Sequence, residues 1–67
     1  STLREKVLYF KFDSAYKLAI NSVDYKMQDR IKDAMGYYNS FMKYYDSSEY
    51  MEDLNTKFNE LKQLQTT

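Results

Sequence analysis

Three acidic side chains, Glu49, Glu52 and Asp53, share one helical face at spacings of three and four residues. Together with Asp46 they offer the oxygen ligands that a hard cation takes. The same residues also open a helix, where carboxylates are favoured by the positive end of the helix dipole. That structural role accounts for them, so no metal site is expected. A di-iron carboxylate centre in a helical bundle needs an inward Glu-x-x-His pair, and the chain has no histidine. With cysteine also absent, the usual zinc ligand sets and the usual activated nucleophiles are missing. The remaining carboxylates lie outside the apolar stripes, without the partial burial that tunes a catalytic acid or base. A single glycine leaves no phosphate-cradling loop. These residues point away from an enzyme and imply no cofactor.

A second chemistry is aromatic stacking beside positive charge, as in Lys43-Tyr44-Tyr45, which is how single-stranded nucleic acids are often held. Yet ten basic and ten acidic residues cancel, and no three basic residues run together. A nucleic-acid domain usually carries a net basic patch. Neither corner of the chain is followed by a basic recognition helix. Nucleic acid is therefore the less favoured partner. No apolar run is long enough to span a bilayer, and no signal-peptide pattern appears. Without an initiator Met, the chain reads as an excised domain or a trimmed product. The lack of cysteine fits a cytoplasmic setting.

The elements that must position these side chains are helical. Sixty-seven residues make one small domain with a marginal core. One glycine and no proline supply too few turn residues for a sheet protein. The fold class is all-α, an antiparallel three-helix bundle with helices over residues 2–27, 29–45 and 48–64. Thr2 and Glu5 have capping-box spacing at the start of the first helix. Leu8, Phe12, Ala15, Ala19, Val23 and Met27 form its stripe, widened by Val7, Phe10, Leu18 and Tyr25. Asp13-Ser14 is a candidate break, but one continuous helix is the favoured reading. Gln28-Asp29 makes the first corner, with Asp29 as N-cap. The second helix carries Ile31, Ala34, Met35, Tyr38, Phe41, Met42 and Tyr45 on one face without a miss. Gly36 lies off this stripe. Asp46-Ser47-Ser48 makes the second corner, and Met51, Leu54, Phe58, Leu61 and Leu64 face inward from the third helix.

Tyr37, Tyr44 and Tyr50 lie beside these stripes rather than centrally in them. Tyrosine is enriched at interfaces, and two bundle helices form a groove that can take an amphipathic peptide. The same tyrosines would also serve a homodimer face or simply cover the core.

Residues 15–45 resemble the MIT (microtubule-interacting and transport) domain found in ESCRT-associated ATPases. The first matching string is Ala15-Tyr16-Lys17-Leu18-Ala19-Ile20-Asn21-Ser22-Val23. The second is Ala34-Met35-Gly36-Tyr37-Tyr38-Asn39-Ser40-Phe41-Met42-Lys43-Tyr44-Tyr45. Phe58-Asn59-Glu60-Leu61-Lys62-Gln63-Leu64 is similar to the family's amphipathic last helix. The resemblance implies a non-catalytic adaptor in protein transport that binds helical tails of ESCRT-III-type proteins. It places the groove between helices two and three, or one and three. On this chain the former would be lined by Tyr37, Tyr44, Met51, Leu54 and Phe58, with Lys57 meeting an acidic peptide residue. The sequence thus reads as a protein-interaction module for a helical peptide. The alternatives are a homo-oligomeric assembly protein and a small nucleic-acid-binding protein of viral or plasmid type.

Overall fold

The computed structural model describes residues 2–22 and 25–65. They form three helices, α1 (Leu3–Asn21), α2 (Lys26–Tyr45) and α3 (Met51–Leu64). The architecture is the expected all-α three-helix bundle, elongated at 36 × 17 × 15 Å. Cross-helix pairs fix its topology. Tyr9 meets Asp53, Asp13 meets Lys57 and Tyr16 meets Glu60, so α1 and α3 run parallel. Gln28 meets Leu64, Tyr38 meets Asn55 and Phe41 meets Tyr50, so α2 runs antiparallel to α3. No helix among the described residues is long and apolar enough to cross a membrane.

α1 is unbroken through Asp13-Ser14, and the Thr2 hydroxyl accepts the Glu5 amide at 3.1 Å, as the capping spacing predicts. Its end differs from expectation. Ser22 adopts extended backbone and its hydroxyl bonds the Leu18 carbonyl at 2.5 Å, stopping the helix well short of residue 27. Met27, Gln28 and Asp29 belong to α2, whose N-cap position is Tyr25 rather than Asp29 and has no side-chain cap. Val23, placed in the first stripe, lies outside the described residues. Met27 still packs on the core, but from the other side of the turn. α3 begins at Met51 rather than at residue 48. Ser48 instead organises the corner: its carbonyl accepts the Met51 amide and its hydroxyl accepts the Tyr50 amide, both at 3.1 Å.

The core consists of Phe12, Ala15 and Ala19 from α1, Ile31, Ala34, Tyr38 and Phe41 from α2, and Leu54 and Leu61 from α3. The alanines let α1 and α2 approach closely, and this pair shares more contact than either shares with α3. Rings fill the centre. Tyr38 stacks on Phe58 with centroids 4.1 Å apart, and Tyr9 on Tyr50 at 4.4 Å. Glu5 is buried too, where its carboxylate accepts the Ser48 hydroxyl. Met42 is more exposed than its stripe implies, because it stands level with the corner where α3 is only beginning. Val7, Phe10, Leu18 and Tyr25 do not widen the buried face of the first helix at all; each is exposed.

Candidate functional site

Two features run along α1, one on each flank. On the α3 flank lies a polar seam. The Tyr9 hydroxyl donates to Asp53 at 2.5 Å. The Lys57 ammonium bridges Asp53 at 2.9 Å and Asp13 at 2.5 Å, and Lys17 reaches Asp13 at 3.1 Å. One turn further, the Tyr16 hydroxyl donates to Glu60 at 2.6 Å.

The seam fixes the charge state of its members. Burial alone would push the Asp13 carboxyl up, but the hydrogen bonds from Lys57 and Lys17 outweigh it and hold it below the usual range. The Tyr9 hydroxyl, and then Lys57, hold Asp53 down in the same way. Burial works against the Lys57 charge, yet its bonds to Asp13, Asp53 and Tyr9 together raise it. Tyr9 is pushed up by burial and by its bond to Asp53. Tyr16 is pushed up to about 12, first by its bond to Glu60 and then by burial. Each of these shifts moves its group further from titration near neutral pH, so Asp13, Asp53, Lys57, Tyr9 and Tyr16 keep their ordinary charge states there.

On the α2 flank lies an open groove of about 500 Å³. Val7, Phe10 and Leu18 supply its α1 wall, and Arg30, Asp33 and Tyr37 its α2 wall. Ala15 and Ser14 line it as well, and their small side chains leave the depression that longer ones would fill. The apolar wall is solvent-accessible: Phe10 is 58% exposed, Leu18 55%, Val7 42% and Tyr37 41%. Leu3 continues this side of α1 one turn earlier and is also exposed. Lys11 edges the groove, and the Arg4 guanidinium lies 5.5 Å from the Tyr44 ring centroid, extending the flank toward the start of α1. Arg30 is anchored by a 2.8 Å bond to the Ser22 hydroxyl.

The six residues expected to line a groove between the second and third helices are not brought together. Tyr37 and Tyr44 are exposed, but on the side of α2 that faces α1. Leu54 is fully buried and serves the core. Phe58 is half-buried and covered by the Tyr38 ring, and Met51 is half-buried against the core. Lys57 is committed to Asp13 and Asp53, so it is not available for a peptide carboxylate. Of the six, Tyr37 alone lines the α1–α2 groove. Sequence reasoning missed Val7, Phe10, Lys11, Leu18, Arg30 and Asp33 as site residues. The available signal was that α1 is apolar around most of its circumference, more than two neighbouring helices can cover.

The acidic side chains at the second corner also diverge. Asp53 turns into the seam, and no three acidic side chains among the described residues converge as metal ligands. No protein-family model, curated protein or solved structure matches the chain.

Proposed function

We propose that this chain is a non-catalytic protein-interaction module, and that it receives an amphipathic helix of a partner protein in the groove between α1 and α2. The observation that carries this reading is the exposed apolar wall formed by Val7, Phe10, Leu18 and Tyr37 around small residues. A bundle this small gains from burying such side chains, and here they are left open beside a depression of about 500 Å³. The seam supports the same reading, since Asp13, Asp53 and Lys57 are held away from neutral titration.

The likeness to the MIT domain enters as a class of ligand, a short helical motif, and not as a location. Leu54 and the Tyr38–Phe58 stack occupy the space between α2 and α3, and the Lys57 seam occupies that between α1 and α3. A photo-crosslinking amino acid at position 10 tests the proposal, with position 59 on exposed α3 surface as control. Position 10 should capture a discrete helical segment of another protein, and Val7→Asp should abolish the capture. Equal capture at both positions, or crosslinks only between copies of this chain, would refute it.

A further inference from the structure

The chain is neutral overall, but the charges that α1 presents to the groove are not balanced. Neither acidic residue of α1 lines the groove. Glu5 is buried against Ser48, and Asp13 is locked to Lys57. What α1 leaves toward the groove is basic: Lys11 at its edge and Arg4 above Tyr44. α2 adds Arg30, with Asp33 as the one acidic group in the lining. Lys11 forms no ion pair among the described residues, so its charge is available to a ligand.

Resting on the reading that the α1–α2 groove takes a helix, we infer that the helix it takes is an acidic one, with an apolar stripe flanked by Glu or Asp. The stripe covers Val7, Phe10, Leu18 and Tyr37. Its flanking carboxylates face Lys11, Arg30 and Arg4. Rim charges of this kind select partners and steer their approach more than they add raw affinity. The same charges argue against a second copy as occupant. Two-fold pairing with the two copies of α1 parallel would set Lys11 and Arg4 of one copy close to their counterparts, and like charges in register oppose association.

The test uses two synthetic helical peptides of about 18 residues, close to the length of α1 at 1.5 Å per residue. Both carry one Leu/Phe stripe; one is flanked by Glu and its twin by Lys. Binding is read by fluorescence anisotropy against the intact chain. The acidic peptide should bind about tenfold tighter at about 0.1 M salt, and the preference should largely vanish at about 1 M, where charges are screened beyond about 3 Å. Lys11→Glu, at an exposed site, should reduce or reverse the preference, with circular dichroism confirming the fold. Equal binding of the twins overturns the inference while leaving a helix-binding groove. Failure of both twins to bind overturns the inference and the groove reading together. Tight binding with the chain dimerising instead would assign the face to a second copy and refute it.

Discussion

Tyr38→Ala is the substitution that tests the packing most directly. Tyr38 is 6% exposed, stacks on Phe58 at 4.1 Å, lies 6.2 Å from the Phe12 ring, and donates its hydroxyl to Asn55 at 2.5 Å. It therefore ties α2 to both other helices. Truncating a buried aromatic ring to Ala costs about 3–5 kcal/mol through lost transfer energy and the cavity left behind. Leaving Asn55 without its donor adds little, because Asn55 is exposed and water replaces the hydroxyl. At about 0.05–0.15 kcal/mol per residue, the whole chain has roughly 3–10 kcal/mol of stability. The substitution thus removes close to a third of it at the least, and all of it if the chain sits at the low end of that range. Urea denaturation followed by far-ultraviolet circular dichroism measures the loss. Tyr38→Phe is the matched control, keeping the ring and losing only the hydroxyl, at a cost of about 1 kcal/mol. A loss below about 1.5 kcal/mol for Tyr38→Ala would mean the ring is not enclosed between Phe12 and Phe58. Equal losses for the two variants would assign the effect to the hydroxyl and refute the packing argument.

Gly36→Ala should stabilise the chain by up to about 1 kcal/mol, raising Tm by about 4–8 °C. Gly36 lies inside α2, and a Cβ placed there meets nothing within 4 Å. A fall in Tm measured by thermal melting would show that something approaches this backbone. The seam predicts a stability profile with two limbs. Asp13 and Asp53, held below their ordinary 3.8, contribute stability that is complete above about pH 4 and lost as pH falls through their lowered values. Tyr16, raised from 10.0 to about 12, contributes stability that is complete below pH 10 and lost on going from 10 to 12. Urea midpoints across pH should decline in both windows, and Tyr16→Phe should soften the alkaline decline; an alkaline limb untouched by that change would remove the Tyr16–Glu60 bond from the account.

The face of α2 was legible because its apolar residues recur with the helical period and its neighbours lie on one side. Ile31, Ala34, Tyr38 and Phe41 are buried as that spacing requires. The first corner was misplaced for an equally physical reason. Met27 continues the spacing of Ala15 and Ala19, yet it reaches the core from α2, so a periodic pattern ran through a turn without interruption. What stopped the helix was a local bond, Ser22 to the Leu18 carbonyl, which periodicity does not register. The third helix was displaced because Ser48 caps the corner rather than the helix itself.

The groove was illegible for a different reason. Val7, Phe10 and Leu18 are the same kinds of residue as Leu8 and Phe12, and hydrophobicity alone cannot say which side of α1 receives α2. The polar residues of α1 carry that information. Asp13 needs a cation within a few ångströms to be tolerated at 16% side-chain exposure, and Lys57 on α3 supplies it. Tyr9 and Tyr16 lie on that same side, and Asp53 and Glu60 on α3 accept their hydroxyls. These requirements direct one flank of α1 toward α3, and the small residues Ala15 and Ala19 direct the next toward α2. The apolar residues left over, Leu3, Val7, Phe10 and Leu18, then have no helix among the described residues to cover them. In this bundle the polar contacts of α1 thus distinguish the apolar face that becomes core from the one left uncovered.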